Sequence, residues 1–138
     1  MSQQLRIPLI KHFPPLRSAA ENALDAAYPI RYSCQMFLIQ ETDEFREWLD
    51  DLKDQNAQVR IAARLRAVAA GNLGDWAPID GPVSELRIHY GPGYRLYFAR
   101  RGNVLIMLLC GGDKRSQKRD IHRASKIFDE LEQNDDKA

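Results

Sequence analysis

The sequence predicts an α+β domain in which a helical hairpin and a C-terminal helix pack on a twisted, mostly antiparallel sheet. Three observations support this prediction: apolar residues recur with helical spacing before residue 71, polar and apolar residues alternate between residues 83 and 100, and residues 104–110 are all apolar. The resulting order of strand, helix, helix, three strands and helix is typical of α+β domains. We expect one folded domain over residues 36–133 and a frayed tail over 134–138.

Residues 1–35 differ from this pattern, because three prolines occur within the first 15 positions. We expect an N-terminal extension that is irregular or forms one short helix. The Ala-rich stretch at 16–28 is the candidate helix, and it ends before Pro29.

The predicted domain begins with a short strand at 36–40 and two helices. Thr42 can cap the first helix, whose opening turn carries two acidic residues that the helix dipole favours. A second helix extends to about residue 70, where Gly71 ends it, and the short link between the helices indicates an antiparallel hairpin. The buried face of the first helix is formed by residues at i, i+3, i+4 and i+7, namely Phe45, Trp48, Leu49 and Leu52.

Three strands and a last helix follow a loop at 72–82 that is rich in Gly, Pro and Asp. Residues 83–90 and 94–100 alternate between apolar and polar side chains, and the glycines of the turn at 91–93 pair them as neighbours. Residues 104–110 resemble a buried central strand. Ser116 can cap the last helix, whose inward residues are Ile121, Ala124, Ile127, Phe128 and Leu131.

The formal net charge of +1 conceals a segregation of charge along the chain. Residues 84–128 hold ten Lys or Arg and three Asp or Glu, a balance of +7, while the remaining residues balance to −6. A basic C-terminal half indicates a polyanion as partner. The alternative is a solvated surface on which the signs segregate by chance.

Several classes of protein do not fit the sequence. The richest apolar run has seven residues, too few to span a membrane, and the early prolines interrupt any secretory signal. The two cysteines lack metal-type spacing, the three histidines are scattered, and Gly111-Gly112 lacks the spacing of a P-loop. We therefore expect a cytoplasmic protein that uses no metal and no cofactor.

The polar faces of the two alternating strands carry the best candidate site. Glu85, Arg87 and His89 project to one side of their strand because their spacing is two, and Arg95 follows on the next strand. Arginine can bind two phosphate oxygens, histidine can move protons near neutrality, and Glu85 can serve as a base or pair with Arg87. The candidates for catalysis are Arg87, Arg95, Lys114, Glu85, His89 and His122, and those for RNA contact are Tyr97 (by stacking on a base), Arg115, Lys118, Arg119 and Arg123. Each has a plain alternative, a solvated surface or a packing role.

Two segments carry a family resemblance, residues 84–98 (SELRIHYGPGYRLYF) and 108–114 (LLCGGDK). Together with FREWL at 45–49 and IAARL at 61–65, they resemble the phage-derived, HigB-like "addiction module killer" branch of the RelE/ParE toxins. The resemblance covers about residues 36–132. It implies a RelE-like, microbial-RNase-type fold and the toxin role in a type II toxin–antitoxin system, with a cognate antitoxin of the helix-turn-helix, HigA-like kind. For many relatives it implies cleavage of mRNA in the ribosomal A site.

The resemblance also assigns roles to individual residues. The arginine of its Gly-Tyr-Arg motif is Arg95, which in ribosome-dependent relatives contacts the scissile phosphate. The basic strand position before the motif falls on Arg87, and the basic residue after the Gly-rich strand end falls on Lys114. The sequence departs from well-studied RelE toxins in two places: Glu85 and Arg87 stand where they have two lysines, and their C-terminal tyrosine is absent, with His122 nearby.

Three hypotheses follow. The first is a metal-independent, ribosome-dependent mRNA endoribonuclease that inhibits translation. The second is a ParE-like protein that inhibits DNA gyrase without hydrolysing a bond. The third is an inactive or regulatory descendant that binds RNA or a partner protein, with residues 1–35 filling the groove of the toxin.

Overall fold

The protein forms a six-stranded mixed sheet that is covered by helices on both faces. The computed structural model describes Leu5–Arg6 and residues 36–136. The strands are β1 (Leu5–Arg6), β2 (Leu38–Thr42), β3 (Trp76–Asp80), β4 (Val83–Ile88), β5 (Tyr94–Arg101) and β6 (Leu105–Asp113). The helices are α1 (Asp43–Asp50), α2 (Gln55–Ala69) and α3 (Gln117–Asp136), with a 3₁₀ turn at Lys114–Ser116 between β6 and α3.

The sheet has the strand order β1-β2-β6-β5-β4-β3. The last three strands along the chain form an antiparallel meander, β4-β5-β6, as the alternating pattern predicts. Strand β2 pairs with β6 in parallel, Leu38 opposite Leu105, so the sheet is mixed. The predicted α+β class with a C-terminal helix is confirmed.

Helices α1 and α2 cover one face of the sheet. Both bury their apolar stripes against Leu86, Leu96 and Phe98 in one core. Thr42 caps α1 as predicted, because its hydroxyl accepts a hydrogen bond from the backbone N–H of Phe45 at 3.0 Å. The two predicted helices are therefore present and share one core.

Helix α3 covers the opposite face, where it buries Ala124, Ile127 and Leu131 against a second core. That core contains Tyr97 and Met107 from the central strands. Both faces of β5 and β6 are consequently apolar, which explains why the sequence of β6 shows no alternation. Arg87 and Arg95 lie at the end where β4 and β6 finish and β5 begins.

One sequence-based expectation needs correction, and another lies outside the part of the chain that the structure describes. Residues 76–80 of the predicted loop form strand β3, which pairs with β4 at the edge of the sheet. An edge strand tolerates Pro78, because a backbone N–H that points to solvent is not needed for strand pairing. The register of the pairing with β4 shifts between Pro78 and Asp80. The expected helix at 16–28 lies outside the described residues, while Leu5–Arg6 is a strand paired antiparallel with β2.

The glycine pair near the end of β6 is explained by close packing on both faces. A Cβ on Gly111 would lie 2.5 Å or less from three ring carbons of Trp48 in α1. On the other face, a Cβ on Gly112 would collide with the carboxylate of Asp120 in α3. The two glycines therefore let α1 and α3 approach the same stretch of strand from opposite sides.

Candidate functional site

Two arginines converge on one buried carboxylate at the end of the sheet. Arg87 in β4 and Arg95 in β5 are directly paired across the two strands. Arg87 donates from Nε to Oε1 of Glu85 at 2.9 Å, and Arg95 donates from Nη1 to the same oxygen at 3.2 Å. The predicted juxtaposition of Arg87 and Arg95 is present in the structure.

Glu85 holds this pair in position. Its side chain is completely buried, and its second oxygen accepts a hydrogen bond from the side-chain amide of Gln117 at 3.2 Å. Both carboxylate oxygens therefore have donors, and the oxygens have no solvent face. Glu85 is accordingly not available as a base in this structure, and the alternative interpretation, pairing with Arg87, is confirmed.

The arginine pair carries two formal charges against the one of Glu85. The Arg95 side chain is 14% exposed and that of Arg87 is 37% exposed. Burial of a charge is costly unless it is paired, which explains why the carboxylate lies directly between them. Hydrogen bonding to Glu85 raises the pKa of Arg87, so this guanidinium stays charged.

Asp75, directly before strand β3, connects the arginine pair to His89. Its Oδ2 lies 2.5 Å from Nε2 of His89, and its Oδ1 lies 3.7 Å from Nη1 of Arg87. The hydrogen bond from His89 is the largest cause that lowers the pKa of Asp75, so this carboxylate is ionised at neutral pH. No sequence pattern singled out Asp75, because it stands in a stretch that we expected to be a loop.

Lys114 and Arg115 lie at the same end of the sheet as the arginine pair. They form the exposed 3₁₀ turn that follows β6, and Asp113 at its start accepts hydrogen bonds from the backbone N–H groups of Arg115 and Ser116. Ser116 thus belongs to a turn capped by Asp113. Lys114 lies near the β4–β5 connection, since a Cβ added to Gly93 would be 3.6 Å from the Cβ of Lys114.

The remaining basic candidates lie on the outer surface of α3. Lys118, Arg119, His122 and Arg123 are all exposed. His122 is five residues beyond Gln117, roughly 140° around the helix axis, so it faces away from the Glu85 cluster. Arg123 pairs with Glu44 at the start of α1. The structure therefore does not bring His122 together with Arg87 and Arg95.

The prediction that Tyr97 stacks on a base is wrong for this structure. Its side chain is fully buried beneath α3, and burial raises the pKa of its hydroxyl. Alternation along β5 places Tyr97 on the same face of the sheet as Arg95. Helix α3 covers this face at Tyr97. Tyr97 is a core residue.

Metal binding and membrane insertion find no support in the described part of the chain. There, no group of three or more His, Cys, Asp or Glu side chains is placed to hold a metal ion. No helix within residues 36–136 is long and apolar enough to cross a membrane.

The fold and the site together define a small α+β domain with a mixed sheet, one end of which carries a cluster of cations around a buried glutamate. A family model described as "Phage derived protein Gp49-like (DUF891)" matches residues 47–132. The chain belongs to this phage-derived Gp49-like family, which is a RelE/HigB-type toxin family.

One relative covers most of the same region. A protein of Haemophilus influenzae (strain ATCC 51907 / DSM 11121 / KW20 / Rd), described as uncharacterized, is 42% identical over 93 residues. The match spans 67% of this chain and 94% of the relative. No solved structure matches the chain.

Proposed function

We propose that this chain is the toxin of a type II toxin–antitoxin system, in the HigB-like branch, and that it is a metal-independent, ribosome-dependent mRNA endoribonuclease. Membership in a RelE/HigB-type toxin family supports the toxin role. The main support for the nuclease activity is that Arg87 and Arg95 converge at one exposed end of the sheet.

The arginine pair is suited to hold the scissile phosphodiester. Each guanidinium has five N–H donors, and Glu85 occupies one of them on Arg87 and one on Arg95, so several remain for phosphate oxygens. Because Glu85 fixes both side chains before RNA binds, little conformational entropy is lost on binding. The Nε of Arg95 is buried and has no hydrogen-bond partner among the described residues.

The surrounding cations extend this surface along a bound strand. Lys114 adds charge at the scissile phosphate, and the exposed outer face of α3 offers phosphate contacts further along the RNA. Such contacts position a nucleic acid without reading its sequence. The residues proposed for these contacts are Arg115, Lys118, Arg119 and Arg123.

Metal-independent cleavage of RNA also requires a group that accepts the proton of the attacking 2′-hydroxyl. His89 is the best placed candidate, since Asp75 links it to Arg87 and its side chain is 77% exposed. Its exposure leaves the ring accessible to a bound ribose. His122 remains a weaker candidate because it lies on the outer face of α3.

The proposed partners are mRNA on the ribosome and a cognate antitoxin, for this branch a helix-turn-helix, HigA-like protein. An antitoxin that places acidic or apolar segments over Arg87, Arg95 and Lys114 would neutralise the toxin. We propose that the protein acts in the cytoplasm, where its targets are.

Induced expression in bacteria tests the proposal. Wild-type chain should arrest growth, and Arg87→Ala and Arg95→Ala should each restore growth while circular dichroism shows a native fold. Arg66→Ala is the matched control, because Arg66 is an exposed arginine on α2, away from the sheet end. It should remain toxic.

The position of RNA ends in arrested cells decides the mechanism. Cleavage within translated codons is the expected result. Intact transcripts at nucleotide resolution would overturn the nuclease proposal, and a DNA-damage response with intact transcripts would indicate gyrase as the target. Folded Arg87→Ala and Arg95→Ala variants that stay fully toxic would overturn the assigned site.

A further inference from the structure

The backbone of Asp75 is held in place by two hydrogen bonds to its carbonyl oxygen. Its backbone carbonyl accepts a hydrogen bond from Nη2 of Arg64 in α2 at 3.0 Å and another from the backbone N–H of Arg87 at 3.0 Å. Gly74 makes room for this arrangement, since a Cβ there would overlap the guanidinium of Arg64. The φ of Gly74 is +61°, a conformation that favours glycine. The Asp75 side chain is therefore presented from a fixed backbone.

The fixed carboxylate determines which nitrogen of His89 carries a proton. An ionised carboxylate can only accept hydrogen bonds, so the 2.5 Å contact to Asp75 requires a proton on Nε2 of the histidine. In the neutral ring the lone pair is then on Nδ1. That nitrogen belongs to a side chain that is 77% exposed, and it is the one left to accept a proton from a ligand.

We propose that Asp75 is a positioning residue that fixes His89 in the tautomer needed to accept the proton of the ribose 2′-hydroxyl next to the phosphate held by Arg87. This inference rests on the proposed nuclease function and deepens it. The two oxygens of Asp75 face different partners, Oδ2 at 2.5 Å from His89 and Oδ1 at 3.7 Å from Arg87, so the histidine lies beside the phosphate-binding arginine.

The step balances as an internal transesterification. Nδ1 of His89 takes the 2′-hydroxyl proton, the electron pair of the 2′ oxygen forms a bond to phosphorus, and the bond from phosphorus to the 5′ oxygen breaks. The 5′ oxygen leaves with that electron pair and takes a proton from water. The proton on the imidazolium neutralises the hydroxide that remains. The products are a 2′,3′-cyclic phosphate and a 5′-hydroxyl.

The experiment measures single-turnover cleavage of mRNA by the full chain on programmed ribosomes, over a range of protein concentration. Asp75→Asn should lower the rate at saturation by about 10- to 100-fold, a part of the roughly 10²- to 10⁴-fold that a positioned general base contributes. The half-saturating concentration should stay within about twofold. Asp80→Asn is the matched control, an exposed carboxylate of β3 that bonds Ser125, and it should cleave normally.

A double variant separates positioning from a merely structural role. Because Asp75 acts through His89, Asp75→Asn combined with His89→Gln should be no slower than His89→Gln alone. Added imidazole should restore part of the activity of His89→Ala. The inference would be overturned if the rate losses of the two single variants multiplied in the double variant. It would also be overturned if Asp75→Asn raised the half-saturating concentration and left the rate at saturation unchanged.

The failure of this inference is distinguishable from failure of the proposed function. Suppose that Arg95→Ala abolishes cleavage while Asp75→Asn and His89→Gln cleave at the wild-type rate. The nuclease proposal then stands, and the proposed roles of Asp75 and His89 are rejected. If the wild-type chain leaves the mRNA intact on the ribosome, both the proposed function and the proposed roles of Asp75 and His89 fail.

Discussion

Replacing Glu85 with alanine should destabilise the domain, and the structure sets the magnitude. The variant leaves Arg87 and Arg95 without their shared acceptor. Breaking a buried ion pair by removing one partner costs about 3–5 kcal/mol. Arg87 is 37% exposed and can be rehydrated, whereas Arg95 is 14% exposed and can be rehydrated only in part. We therefore expect the free energy of unfolding to fall by about 3 kcal/mol, the lower end of this range. At about 4 °C per kcal/mol, Tm should fall by roughly 12 °C.

Urea and thermal unfolding followed by circular dichroism measure this loss. Glu85→Gln keeps the shape and one acceptor, so it should lose only about 1–2 kcal/mol. Asp129→Ala removes an exposed carboxylate from α3 and should stay within about 0.5 kcal/mol of wild type. A folded Glu85→Ala within about 1 kcal/mol of wild type would refute the view that Glu85 offsets the charge of the arginine pair.

Three further outcomes follow from the packing. Gly111→Ala should cost about 1–3 kcal/mol and change the tryptophan fluorescence, because the Trp48 ring must move; an unchanged spectrum would contradict the packing. Arg101→Ala should cost less than about 1 kcal/mol but speed amide exchange in the last turns of α3, whose carboxylates this arginine binds. Burial raises the pKa of Cys110 to about 12, so in a Cys34→Ser background its thiol should react with a disulfide reagent only at the rate of unfolding, even at pH 8.

Helices and central strands were predictable from the sequence because their periodicity is local. Phe45 and Leu49 of α1 stand at helical spacing and are buried, with Trp48 and Leu52 packed against the same core. The two strands around residues 91–93 pair as the alternation predicts. Strand β3 was missed because its Pro78 and neighbouring Gly and Asp are also the residues of loops. Its strand conformation depends on pairing with β4, which local composition does not encode.

The site was predictable to the extent that strand geometry determines it. The spacing of two and the glycine turn were enough to place Arg87 beside Arg95. The position of Tyr97 was misjudged because alternation tells which side chains share a face and not whether a helix covers that face. Asp75 could not be found, since its contact with His89 joins residues 14 positions apart, one just before β3 and the other just after β4.

The parallel pairing of β2 with β6 also has a consequence for synthesis of the protein. The Thr42 hydroxyl, at the end of β2, donates to the Leu109 carbonyl, 67 positions further along the chain. Contacts at such separation slow folding, and β2 has no partner on that side until β6 has been made. The nascent chain thus leaves the peptidyl transferase centre with its sheet unfinished, and the cation cluster takes its final form only after Gln117 has emerged to hold Glu85.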